Sequence, residues 1–129
     1  PPTQNCTTAD LTFQALVLTE TGDAPASPVA EGASLRVWSQ IENTCDNPVV
    51  YTTNNNCLVS EWRMENRGSN VVASGMFPCG GPSGNRTIEP FSSLRQEVAP
   101  LYDLPPNDFT VFVKWGGGQE ESVTFSVAR

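Results

Sequence analysis

Apolar and polar residues alternate along several short stretches of the chain, which is the pattern of β-strands. In residues 11–19, one face of the predicted strand carries only apolar side chains: Leu11, Phe13, Ala15 and Val17. Leu16 and Leu18 add apolar groups to the other face toward the end of this stretch. The pattern therefore predicts a first strand that is covered on both faces near its end.

Further stretches of the same kind predict strands at 34–42, 49–53, 57–65, 71–77, 92–99, 109–115 and 122–127. Segments 20–33 and 78–86 hold several Gly and Pro residues and are predicted to be loops. About eight short strands separated by turn residues predict an all-β, two-sheet β-sandwich, with a barrel as the alternative. We predict a single domain over 11–129, preceded by an N-terminal arm over 1–10.

Four cysteines, at positions 6, 45, 57 and 79, form an even number without a Cys-x-x-Cys motif. This spacing favours two disulfides over a metal site or free thiols. Of the three pairings that four cysteines allow, we favour Cys57 with Cys79, which would join two neighbouring strands. Cys6 with Cys45 would then attach the arm to the domain.

Composition argues against several classes of protein. The 129 residues include 14 acidic and 7 basic ones, a formal net charge of −7, and this field repels the phosphates of nucleic acids. No run of 18 apolar residues is present, so we predict no membrane span.

Catalytic groups are scarce. The chain has no His, which excludes a Ser-His-Asp site, and a Ser-Lys dyad would depend on Lys114, the only Lys. Glu61 and Glu65 would lie about 13 Å apart along one strand, whereas glycosidase carboxyl pairs need roughly 5–9 Å. We therefore predict a chain that is not an enzyme and that uses no cofactor and no metal.

Disulfides form in oxidising compartments, so the cysteines predict an extracellular or cell-surface protein. The chain starts at Pro1 without Met or an apolar leader, which fits a mature protein after removal of a signal peptide. Asn5 and Asn85 each begin an Asn-x-Thr triplet, and both fall in predicted loops. They are candidate glycan attachment sites.

Three tryptophans are candidates for the core or for contacts. Trp62 falls on the inner face of its strand, at the place where immunoglobulin-like sandwiches bury a Trp against a disulfide. Trp38 falls on the polar face of its strand, so we expect it either to be half-covered by a neighbouring loop or to be a surface contact residue. As an alternative, Trp38, Trp62 and Trp115 could form a sugar-stacking platform.

Residues 34–114 follow an order of segments that resembles a known family. The segments are Glu42-Asn43, Pro48-Val49-Val50-Tyr51, a cysteine-containing strand with Trp62, a Glu-Asn-Arg-Gly turn, a strand ending near Cys79, Thr87-Ile88-Glu89-Pro90, and a Leu-Pro-x-x-x-Phe turn into Thr110-Val111-Phe112-Val113. This order resembles the immunoglobulin-like BsuPI family, named for an intracellular proteinase inhibitor. The resemblance implies an immunoglobulin-like sandwich of seven to eight strands and a proteinase-inhibiting or protein-binding activity. The four cysteines are a departure from this family pattern, because the family's namesake is intracellular and disulfides are rare in intracellular proteins.

Three functions follow as hypotheses. The first is an extracellular structural or adhesive protein, such as a filament subunit, that associates with its own copies by β-strand addition. Residues 1–19 would then be the donor segment, with Leu11, Phe13, Ala15 and Val17 inserted into a neighbour. The second is a proteinase inhibitor or protein-binding module of the BsuPI type. The third is an accessory carbohydrate-binding domain that uses Trp38 and Trp115.

Overall fold

A computed structural model describes residues 6–129, and the candidate glycan site Asn5 lies outside them. The described part contains a 3-10 turn, Thr8–Asp10, and ten strands. The strands are β1 Thr12–Thr19, β2 Val29–Ala30, β3 Leu35–Asn43, β4 Val49–Thr53, β5 Val59–Glu65, β6 Val71–Met76, β7 Gly84–Ile88, β8 Ser92–Leu101, β9 Asn107–Trp115 and β10 Glu120–Ala128.

The strands form two main sheets. One has the order β1-β3-β8 and the other the order β2-β10-β9-β5-β6, while β4 and β7 form a separate ribbon. All pairs are antiparallel except β2 with β10. With β1, β3 and β8 in one sheet and β5, β9 and β10 in the other, the arrangement matches strands A, B and E against C, F and G of the immunoglobulin sandwich. The predicted all-β, immunoglobulin-like sandwich is confirmed.

The inward faces of the sheets share one hydrophobic core. The Phe13 ring meets the rings of Tyr51 and Trp115 edge-on, at centroid distances of 5.3 and 5.2 Å. Trp115 and Tyr51 are fully buried. The Tyr51 hydroxyl donates a hydrogen bond to Gln119 and accepts one from the backbone N–H of Gly117. These contacts join β1, β4 and the β9–β10 hairpin at one end of the core.

All eight predicted strands are present, with ends within two residues of the predicted ones, and the structure adds two strands, β2 and β7, that were not predicted. The loop predicted over 78–86 is wrong at its end, because β7 begins at Gly84 and pairs with β4 along its whole length. The short β2 falls inside the predicted loop 20–33 and follows Pro28. Neither strand has an alternating pattern long enough to be read from the sequence.

The described part of the arm is attached to the sandwich. Cys6 forms a disulfide with Cys45, and the Thr8 hydroxyl donates a hydrogen bond to the carbonyl of Val50 in β4. The carboxylate of Asp10 accepts a hydrogen bond from the backbone N–H of Thr7 at 2.8 Å, which caps the start of the 3-10 turn. The chain therefore enters β1 from a fixed position.

Candidate functional site

Both predicted disulfides are confirmed. Cys6 and Cys45 join the arm to the turn after β3, with Cα atoms 6.4 Å apart, and Cys57 and Cys79 have Cα atoms 5.5 Å apart. Cys57 precedes β5 and Cys79 follows β6. The second disulfide therefore closes the open end of the β5–β6 hairpin.

The four candidate donor side chains lie in the core of their own chain. Leu11, Ala15 and Val17 are buried, and Phe13 is half-buried against the core. All eight residues of β1 pair with β3, from Thr12 opposite Glu42 to Thr19 opposite Leu35. Within one copy, β1 is thus an ordinary strand of the sandwich, and its transfer to a neighbour stays a prediction.

Trp38 lies on the outer face of the three-stranded sheet, opposite Leu16 in β1 and Glu97 in β8. Its indole is half-buried, and its Nε1 is buried without a hydrogen bond in the described residues. Beside it, Arg36 forms ion pairs with Glu20 and Glu97 at 3.1 and 2.8 Å. The hydrogen bonds to Glu20, and to a lesser degree those to Glu97, raise the pKa of Arg36. The Arg36 side chain therefore stays charged.

The other two tryptophans differ from each other. Trp62 lies on β5 opposite Val113. It packs against the core, as predicted, but is half-buried and not fully enclosed. Trp115 is fully buried. The prediction that Trp115 could stack on a sugar at the surface is therefore wrong, because its ring packs against Phe13.

Asn85 lies in β7, so the prediction that it belongs to a loop is wrong. It is nevertheless exposed. The Thr52 hydroxyl donates to its side-chain oxygen at 2.9 Å. Asn85 is thus an exposed residue on the short β4–β7 ribbon, with its side-chain oxygen bonded to the neighbouring strand.

Acidic side chains are held in separate ion pairs. Glu65 lies 3.0 Å from Arg63, while Glu61 lies 4.0 Å from Lys114. Within residues 6–129, no group of three His, Cys, Asp or Glu is placed to hold a metal ion. In the same residues, no helix is long and apolar enough to cross a membrane.

The outer edge of β6 is the main unpartnered feature of the sandwich. β6 ends the order of the five-stranded sheet, with only β5 beside it. Its sequence, Val-Val-Ala-Ser-Gly-Met, contains no charged residue and no Pro. Val71, Val72 and Met76 expose 56%, 48% and 83% of their surface. An uncharged, apolar edge strand is a template for pairing with another strand.

Two other strands with an unpaired side carry features that oppose such pairing, whereas β1, which is also an uncharged edge strand, lies against β10. β8 contains Arg95, Glu97 and Pro100, and its register against β3 shifts beside Trp38. The β10 strand begins with two adjacent acidic residues, Glu120 and Glu121. Charges, prolines and bulges are the usual means by which proteins protect a sheet edge.

An apolar groove of about 410 Å³ adjoins β6. It lies between the β5–β6 hairpin and the turn that follows β8, and its lining includes Trp62, Val72, Ala73, Tyr102 and Leu104. Tyr102 is 58% exposed and precedes Asp103, which has a φ of 52°. Asp is one of the few non-glycine residues that adopt this left-handed conformation readily, and the turn at Asp103 follows the exposed Tyr102 ring directly.

The absence of a side chain at Gly75 leaves space for the Trp62 indole to lie over β6. A Cβ at Gly75 would lie 2.5 Å from the indole nitrogen, so only glycine lets the ring lie over β6 in this way. The sequence predicted the strand at 71–77 but not its position in the sheet. The only feature of the sequence that could indicate a binding edge is the absence of charge in this strand, and a central strand can lack charge as well.

No family model matches the chain, and no curated protein matches it. Among solved structures, the chain is similar to part of a β-glucosidase from Listeria innocua in complex with gluconolactone, with a TM-score of 0.45 and 12% identity. That match covers 92% of this chain and 16% of the β-glucosidase. A Bordetella pertussis protein described as ApaA matches with a TM-score of 0.38 and 16% identity, covering 91% and 89% of the two chains.

Proposed function

We propose that this chain is a non-catalytic, extracellular structural or adhesive protein that joins to its own copies by β-strand addition. The observation that carries the proposal is the unpaired edge of β6, which is uncharged and bordered by exposed apolar side chains. Strand addition uses main-chain hydrogen bonds for affinity and side-chain pockets for specificity. The edge and its adjoining groove offer both.

Export is part of the proposal. Two disulfides in a 129-residue domain support an oxidising location. We also propose that Asn85 carries a glycan if the producing cell glycosylates exported proteins, because its amide is exposed. Mass spectrometry of the protein from its native source checks this, and an unmodified Asn85 peptide from a glycosylating cell contradicts it.

We propose the acceptor form of strand addition in place of the donor form. Donation of β1 would withdraw Phe13 and Val17 from their own core and break the pairing with β3. Acceptance at β6 leaves every internal contact in place. A filament would need a second contact surface on each copy in addition to β6, because a two-fold contact alone closes on itself.

Electron microscopy of protein released from its native surface, without boiling or reduction, tests the proposal together with sedimentation of the purified chain. Regular filaments or discrete oligomers are the expected result. A protein that stays monomeric from micromolar to millimolar concentration, with no assemblies on the native surface, contradicts it.

A second candidate function is proteinase inhibition. Met76 is 83% exposed and lies three residues before the disulfide-bonded Cys79, so a braced, extended segment presents an apolar side chain. A panel of extracellular proteases tests this candidate. Inhibition that is lost in Met76→Asp but kept in Val50→Asp, at another exposed apolar position, would support it.

A further inference from the structure

We infer that two copies of the chain pair through their β6 edges, antiparallel and about a two-fold axis, with Ser74 of one copy opposite Ser74 of the second. This inference rests on the proposed function, since it names the contact through which self-association occurs. It follows from the direction of the backbone groups in β6, from the side chains around Ser74, and from the positions of the charges.

The backbone groups of Ser74 and Met76 point away from β5. The N–H of Phe77 donates to the carbonyl of Ser60 at 3.0 Å, and Gly75 and Ala73 follow at two-residue steps opposite Trp62 and Met64. Because hydrogen-bonded pairs alternate along an antiparallel ladder, residues 73, 75 and 77 bond to β5. The N–H and C=O groups of Ser74 and Met76 are therefore directed to the free edge.

A two-fold pairing centred on Ser74 is self-complementary. It places Ser74 opposite its own counterpart as a hydrogen-bonded pair and Met76 opposite Val72. On the other face, Ala73 comes opposite Gly75 of the second copy. These small residues leave room for Trp62, whose ring already lies against Gly75, and the second copy would cover the exposed side of that ring.

The charges around this contact do not oppose each other directly. Arg63 lies opposite Ser74 on β5, so the two Arg63 side chains of a pair would be separated by three strand spacings, about 14 Å. That exceeds the Debye length of about 8 Å at physiological ionic strength. Arg63 is further neutralised by Glu65 and Glu120, at 3.0 and 3.4 Å.

A second copy fits this edge better than a basic partner does. Each chain carries a net charge of −7, and the uncharged β6 places no like charges directly opposite one another when two such chains approach along this edge. A self-pairing of this kind strengthens as salt screens the net charges, whereas binding to a basic partner weakens with salt. Two-fold contacts are also the commonest form of self-association.

The test uses charge substitutions at Ser74 in the full chain, measured by sedimentation equilibrium at low and high salt. Ser74→Lys and Ser74→Glu each place like charges opposite one another, with Cα atoms about 5.5 Å apart across the pair. Each variant alone is expected to associate at least tenfold more weakly than the unaltered chain. An equimolar mixture of the two is expected to regain at least the original affinity.

Ser122→Lys is the matched control, because Ser122 is an exposed serine in β10 of the same sheet. It is expected to change association by less than twofold. Circular dichroism and thermal unfolding establish that all variants fold. Unweakened association in Ser74→Lys, no gain in the mixture, or a loss confined to Ser122→Lys would each overturn the pairing, while leaving self-association itself intact.

If the unaltered chain stays monomeric at every concentration and salt level, the proposed self-association fails together with the pairing. Association of the unaltered chain that falls as salt rises would also overturn the uncharged contact. The two failures are therefore distinguishable. Only the first removes the proposed function.

Discussion

The two flanks of the sandwich differ in how their strand edges are covered. At the closed flank, formed by β1, β10 and the segment that leads into β2, the chain itself spans the gap between the sheets. Val29 in β2 pairs in parallel with Val127 in β10, and Pro25, Val17 and Phe125 line a small cavity there. At the open flank, between β6 and β8, an apolar groove of about 410 Å³ remains beside the segment that leads from β8 to β9.

This difference separates residues that stabilise the chain from residues available for contacts. Apolar side chains at the closed flank are buried, as at Ala15 and Val17, whereas Val71, Val72 and Tyr102 at the open flank are about half exposed. A monomer gains little from exposed apolar side chains on an unprotected edge. The open flank is therefore where we place the partner, and the following substitutions test that division.

The largest effect is expected for Phe13→Ala at the closed flank. The substitution removes a ring that packs against Tyr51 and Trp115, and we expect the free energy of unfolding to fall by about 3 kcal/mol. Denaturant unfolding of the monomer measures this. If the monomer keeps its stability and loses only its assembly, Phe13 acts in a neighbour and the donor form of strand addition is correct.

A matched pair of substitutions compares the flanks directly. Val17→Thr buries a hydroxyl in the core, where Val17 is 7% exposed, while Val72→Thr places the same hydroxyl at a position that is 48% exposed. We expect a loss of about 2 kcal/mol for Val17→Thr and less than about 0.5 kcal/mol for Val72→Thr. Urea unfolding measures both losses. Equal losses would show that the apolar side chains of the two flanks contribute equally to the stability of the monomer.

The sequence predicts the closed flank better than the open one. Alternation identifies β1 and β10 because their inward residues pack against a continuous core, and the cysteine spacing identifies both disulfides. The order of strands within a sheet depends on contacts between distant parts of the chain, so the edge position of β6 is not readable. For the same reason, the sequence does not indicate that the Trp115 ring is buried against Phe13.

A smaller effect is expected for Tyr51→Phe. The substitution removes the hydroxyl that bonds to Gln119 and Gly117, at a cost of about 1 kcal/mol near neutral pH. Tyr102→Phe at the open flank is the control, and we expect a change below about 0.5 kcal/mol because Tyr102 is exposed.

The same substitution also tests a pH dependence. Burial raises the pKa of Tyr51 above its ordinary value of 10.0, so the folded chain holds the phenol proton while the unfolded chain releases it. Stability is therefore unaffected by this group below pH 10 and falls as the pH rises above it. Unfolding measured between pH 8 and 11.5 should show a smaller alkaline loss in Tyr51→Phe, and an identical loss in both proteins contradicts the assignment.

The smallest effect on stability is expected for Met76→Gln, because the side chain is 83% exposed. We expect the free energy of unfolding to change by less than about 0.5 kcal/mol. Self-association should nevertheless weaken severalfold, since Met76 would face Val72 of the second copy across the paired edges. Sedimentation and thermal unfolding of the same sample measure both quantities. A stability loss above about 1 kcal/mol would mean that Met76 packs within its own chain. Unchanged association would exclude Met76 from the contact. The prediction follows because an exposed apolar side chain at an open edge contributes more to binding a partner than to the stability of the monomer.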